Sequence, residues 1–204
     1  MVVTSRTWVL TLITMMAFSA NSLLCREALR HTGIDAASFT LVRLASGAAV
    51  LALLVRLRQG GNGIGGNWPS ALALLAYAGA FSFAYVSLPA GTGALLLFGA
   101  VQVTMIGRAL AAGERLRSPQ VAGLILALAG LVVLLAPGIS APPLLGAGLM
   151  IAAGIAWGIY SLRGRRESDA LAANAGNFLR AAPLAVLLCL GFVDGLGVDG
   201  MGLV

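Results

Sequence analysis

"SFTLVRLASG", Ser38 to Gly47, and "NAGNFLRAAP", Asn174 to Pro183, each set one arginine well inside an apolar run, 137 residues apart. A cation in hydrocarbon is costly, so its recurrence needs a cause. Composition fixes the solvent first. The chain has 204 residues, 59% of them hydrophobic and 10% charged, with a mean hydropathy of +0.96. A soluble domain carries roughly 25% charged residues, so the lipid bilayer is the expected surrounding. All 13 basic residues are arginine, against 7 acidic ones, for a net charge of +6. They lie between apolar runs rather than on one basic face, which excludes nucleic acid as a partner. Cys25 and Cys189 have neither a CxxC nor a metal spacing. They read as small buried hydrophobes, and no metal or cofactor is expected.

A spanning helix takes about 20 apolar residues. Seven segments qualify: Trp8–Cys25, Ala37–Leu57, Pro69–Ser87, Pro89–Ala111, Pro119–Ala136, Pro143–Leu162 and Leu171–Val193. The first, with Arg6 before it and Ala17-Phe18-Ser19 near its end, resembles a secretory signal, but another membrane-like segment follows, so a retained helix is expected. Prolines open four segments, where the missing N–H costs nothing. The short turn Ser87-Leu88-Pro89 predicts that the third and fourth segments are antiparallel neighbours. Gly154 and Gly158 form a GxxxG and Gly123 with Ala127 a looser version, spacings that let helices approach closely in lipid, although a glycine-rich chain also produces them by chance. "GNGIGG", Gly61 to Gly66, fits a dinucleotide pattern but follows a membrane helix, not a strand, and reads as a flexible loop.

The arginines orient the chain. With a cytoplasmic N-terminus, nine of them (Arg6, Arg56, Arg58, Arg108, Arg115, Arg117, Arg163, Arg165 and Arg166) fall inside, and only Arg26 and Arg30 outside. The expected location is the plasma membrane, in bacteria the inner membrane. Arg43 and Arg180 then enter from opposite faces. "AFSANSLLCR" (Ala17 to Arg26) echoes "AWGIYSLRGR" (Ala156 to Arg165) at nearly the same offset, Phe18 matching Trp157 and Ser22 matching Ser161. The predicted fold is an all-α polytopic helix bundle built on inverted five-helix repeats. Residues 1–138 make a complete first repeat, 139–193 the first two helices of a second, and 194–204 a glycine-rich tail. Inverted repeats are a mark of secondary transporters, with substrate near the midplane.

"LPAGTGALLLFGAVQVTMIGRALAAGERLRSPQVAGLILALAGLVVLLAPG", Leu88 to Gly138, resembles the end of an EamA domain of the drug/metabolite transporter superfamily. "AAGIAWGIYSLRGR", Ala152 to Arg165, is similar to the opening of that family's second domain. The resemblance implies a ten-helix carrier of small metabolites or drugs, working by alternating access with both termini cytoplasmic. Two such arms would need roughly 280 residues, so the 204-residue chain is expected to be a piece, truncated after the seventh helix and inactive alone. The other reading is a structural membrane subunit, or a non-functional remnant, that packs against another chain. A second copy or a partner chain could complete the second repeat.

Polar groups in hydrocarbon tend to face a cavity or a partner. The substrate-contacting candidates are Asn21, Arg43, Gln102, Trp157, Tyr160, Asn177 and Arg180. Thr11, Thr14, Phe18, Asn21 and Cys25 share one helical face, a stripe equally explained by packing. Gln102 lies mid-segment, Trp157 and Tyr160 could form an aromatic wall, and Asn177 sits one turn before Arg180. Against a cargo role, a long arginine can bend back to headgroups or bond helix-end carbonyls. No carboxylate lies at mid-bilayer, which argues against proton exchange through a deep acid. Glu114 is expected to pair with an arginine or to fix the turn after the fourth segment. The chain is not expected to be an enzyme, since no nucleophile–base set occurs within the segments.

Overall fold

Residues 5–58, 63–135 and 142–193 are described by the structure, a computed structural model. Among them are seven α-helices and no strand: α1 Ser5–His31, α2 Ala36–Leu57, α3 Trp68–Ser87, α4 Ala90–Ala111, α5 Ser118–Leu135, α6 Leu144–Gly164 and α7 Ala170–Val193. Six are long and apolar enough to cross a membrane, which makes this an all-α, multi-pass membrane protein. The fifth predicted span also forms a helix, the 18-residue α5. The boundary at 138/139 and the tail 194–204 lie outside the described residues.

Local chemistry explains where the helices start and stop. Asp35 caps α2, accepting the amides of Ala37 and Ser38 at 2.9 Å each. Asn67 caps α3 through the Ser70 amide at 3.0 Å, and both serve donors that the first helical turn leaves unpaired. α4 ends at Gly113, whose φ of +86° suits glycine. Its amide bonds the Leu110 carbonyl and the Glu114 amide reaches back to Ala109, a Schellman closure. Backbone therefore fixes this turn, and the Glu114 carboxylate is in neither ion pair found among the described residues. α1 outruns its predicted end because no glycine or proline intervenes between Cys25 and Gly33. Arg26, expected in a loop, is helical and donates from Nη1 to the carbonyls of Tyr85, at 2.5 Å, and Val86, at 2.9 Å, in the last turn of α3.

α3 is the centre of the bundle. Leu74, Phe81, Ser82 and Tyr85 are fully buried on it, and α6, α7 and α2 pack around it. The expectation that α3 and α4 are neighbours holds only near their turn, because α6 packs extensively on both. Small residues permit that wedge. A Cβ on Gly154 would stand 2.5 Å from the Leu97 carbonyl oxygen, and one on Gly158 2.9 Å from Thr104, both on α4. This GxxxG is a real contact. The looser pair is not: nothing lies within 4 Å of a Cβ built on Gly123.

α2 and α7 pack antiparallel over their lengths. Ser38 Oγ meets Cys189 Sγ at 3.6 Å, Gly47 lies against the Phe178 ring, and Arg58 pairs with Asp169. In that register Arg43 and Arg180 come from opposite helix ends to within about one turn of each other along the pair.

Candidate functional site

Where α2 and α6 finish and α3 and α7 begin, the bundle is cross-linked by polar groups. The Asn67 amide donates to Asn177 Oδ1 at 2.9 Å and its Nδ2 to Glu167 at 3.2 Å. Arg163 donates to Asn67 Oδ1 and to Ser70 Oγ, each at 2.9 Å. Arg180 Nη1 donates to the carbonyls of Gly65, at 2.8 Å, and Gly176, at 2.9 Å, and the Gly65 amide bonds the Ala172 carbonyl at 3.0 Å. Gly66 has φ +77°, and a Cβ on Gly176 would fall 1.8 Å from Gly65 oxygen, so only glycine allows this approach. The expected flexible loop is thus docked onto α7 at Gly65 and Gly66, because Arg180 and Asn177 supply its backbone with partners.

Two aspartates at opposite ends of the α2–α7 pair are tuned alike. The Asp169 carboxylate is held below the usual carboxylate range by the Ala172 amide and by Arg58. Burial alone would raise Asp35, but hydrogen bonds from Ser38 and Ala37 outweigh it and lower that carboxyl as well.

Above this layer a cavity of about 300 Å³ opens between α1, α2, α3, α6 and α7. Phe18, Asn21, Arg43, Tyr77, Trp157 and Phe178 are among its walls, and among the described residues no acidic one is. The volume is at the lower end of small-molecule sites. The Arg43 guanidinium is caged by rings, its Cζ 4.9 Å from the Phe81 centroid and 5.8 Å from both Phe39 and Tyr77. Aromatic faces offset part of the cost of burying a cation, but they accept no ordinary hydrogen bond. Arg43 Nη1 is accordingly buried without a hydrogen-bond partner.

Three of the seven candidates, Asn21, Arg43 and Trp157, therefore meet in one cavity. Trp157 stacks on Tyr160, centroids 5.6 Å apart, and touches Tyr77 at 4.6 Å, so the aromatic wall exists. The Tyr160 hydroxyl, however, donates to Asn174 Oδ1 and accepts from Asn177 Nδ2 at 3.4 Å, which places Tyr160, Asn177 and Arg180 in the polar layer. Gln102 stands on the exposed face of α4, away from the cavity. Thr11 and Thr14, both exposed, bond back to the carbonyls of Thr7 and Leu10 at 2.8 Å each, and Thr14 also lines the cavity. The cage residues Phe39, Tyr77 and Phe81 were not anticipated, although Tyr77, Phe81 and Tyr85 recur every fourth residue on α3. Hydropathy alone does not separate such a stripe from rings that face lipid.

Comparison with known proteins adds one relative. The chain is 57% identical over 199 residues to the uncharacterized protein PA1977 of Pseudomonas aeruginosa, an overlap covering 97% of this chain and 69% of the relative. No protein-family model matches the chain, and no solved structure does.

Proposed function

The chain belongs to the same family as PA1977, and on that premise we propose that it is the substrate-binding part of a secondary carrier for small organic solutes in the plasma membrane. The observation that carries this reading is the Arg43 cavity: a cation without a counter-ion, walled by five membrane-type helices. A merely structural arginine would be expected to give its buried donors to nearby carbonyls, as Arg180 Nη1 does.

Other features support the EamA-like, inverted-repeat reading. The 199 aligned residues are 69% of the relative, which is therefore about 290 residues long, close to the length two five-helix arms require. α2 and α7, counterparts in such a scheme, pack antiparallel. With the N-terminus in the cytoplasm, the polar layer lies at the cytoplasmic end, and its bonds close that end below the cavity. Alternating access requires one end closed while substrate sits near the midplane.

Transport is the test. The relative and this 204-residue chain are each reconstituted in liposomes and assayed for exchange of labelled organic acids and neutral solutes. The relative is expected to exchange solute and this chain alone to bind without exchange. Exchange by neither, with no bound solute, defeats the carrier reading and leaves a structural subunit. Exchange by the short chain alone refutes only the need for a second arm.

A further inference from the structure

We infer that the cavity selects an organic monoanion, a carboxylate on an apolar or aromatic body, and rejects cations and zwitterions. This rests on the carrier reading for its purpose but not for its chemistry.

The charge count comes first. Among the described residues, Arg43 is the only charged group lining the cavity. In surroundings of low dielectric a single guanidinium compensates a single negative charge, and a second charge on the ligand would be buried unpaired at high cost. Phosphate dianions are thereby disfavoured. An ammonium group fares worse: it meets Arg43 and no carboxylate. Of the rings that face the guanidinium only Tyr77 lines the cavity, and an ammonium drawn to the remaining ring faces would still be repelled by Arg43. An amino acid would consequently bring one group that fits and one that does not.

Geometry gives the second part. A guanidinium presents its N–H donors at its edge, in a fork that matches the two oxygens of a carboxylate. The cage covers its face with Phe39, Tyr77 and Phe81 and leaves Nη1 without an acceptor. That buried donor costs free energy until an acceptor arrives. Beyond it the walls are Phe18, Leu44, Leu74, Trp157 and Phe178, which suit a flat or branched apolar body. Asn21 and the Tyr77 hydroxyl are further polar groups of the lining, and Asn21 Oδ1 already lies 3.7 Å from the Cys25 thiol.

Three probes of similar shape decide the matter: 3-phenylpropionate, its neutral amide, and phenethylamine. Binding to the purified chain in nanodiscs is read by tryptophan fluorescence and calorimetry at pH 7. The acid is expected to bind about tenfold or more tighter than the amide, the usual worth of a hydrogen bond to a charged group, with no binding of the amine. In Arg43→Gln the acid loses that advantage, whereas Arg56→Gln, which removes a charge on the exposed face of α2, keeps it. Equal affinity for acid and amide, preference for the amine, or absence of acid binding overturns the inference, and none of these readings requires a variant that folds. Because the measurement is equilibrium binding, acid selectivity in this chain with no exchange by the relative would sink the carrier reading alone. Exchange without acid selectivity would sink this inference alone.

Discussion

Arg43 and Arg180 sit on adjacent antiparallel helices at similar depth, yet their surroundings are opposite. Arg180 lies among backbone carbonyls and gives them its hydrogen bonds. Arg43 lies among rings, which soften its charge but leave a donor unused. The difference teaches that the position of an arginine along a membrane helix does not determine its role. What decides is whether neighbouring backbone has free acceptors. Around Arg180 the docked loop at Gly65 provides them, and around Arg43 aromatic rings stand in their place.

The sharpest way to break the contrast is to remove the loop from Arg180. Gly176→Ala pushes a methyl into the Gly65 carbonyl and is expected to cost about 3 kcal/mol, the upper range of overpacking. A thermal-unfolding assay in detergent would show it as a large fall in Tm and folded yield, and an unchanged Tm would disprove the close approach. Next in size is Arg180→Met, expected to cost about 2 kcal/mol because it deletes hydrogen bonds from a charged donor, with ligand affinity retained. Arg43→Met should have the opposite sign, raising stability by about 1 kcal/mol because it replaces a half-buried cation with an unsatisfied donor by an apolar chain. Should both methionine variants lose stability equally, the two arginines are alike after all.

Smaller effects probe the ends of the α2–α7 pair. Asp35→Ala removes a helix cap and should cost about 1 kcal/mol. Both Asp35 and Asp169 have folded pKa values below their ordinary value. Their stabilisation is therefore fully present above the unfolded carboxylate value of about 3.9 and is lost as pH falls through the folded value. Tm should stay flat from pH 7 to 5 and decline below about 4. Asp35→Asn, which keeps a capping oxygen but does not titrate, should flatten part of that decline. A decline beginning near neutral pH would implicate some other group.

Much of this was legible in the chain itself. Six spans follow from apolar length, a close helix approach from Gly154 and Gly158, and the cavity residues Asn21 and Arg43 from polarity in the wrong solvent. Other features were not, for physical reasons. Whether Arg180 and Asn177 face cargo or a loop depends on where Gly65 and Gly66 dock, and glycines carry no side chain to announce it. α6 comes between α3 and α4 because small residues line both of its faces, a tertiary choice that the short Leu88-Pro89 turn does not encode. Gln102 misled because polarity marks a residue as out of place in lipid without saying which way its helix is turned.

α1 is held to the bundle mainly near one point. Arg26 is bonded to the last carbonyls of α3, while residues 7–17 of α1 are exposed. From Arg26 to Thr14 at the far rim of the cavity is a lever arm of about 18 Å. A tilt of about 10° around that pivot carries the rim by about 3 Å, roughly the thickness of a flat ring. The width of the cavity is thus governed by the angle of one rod hung from its end, and the arginine that sets the pivot never touches what the cavity holds.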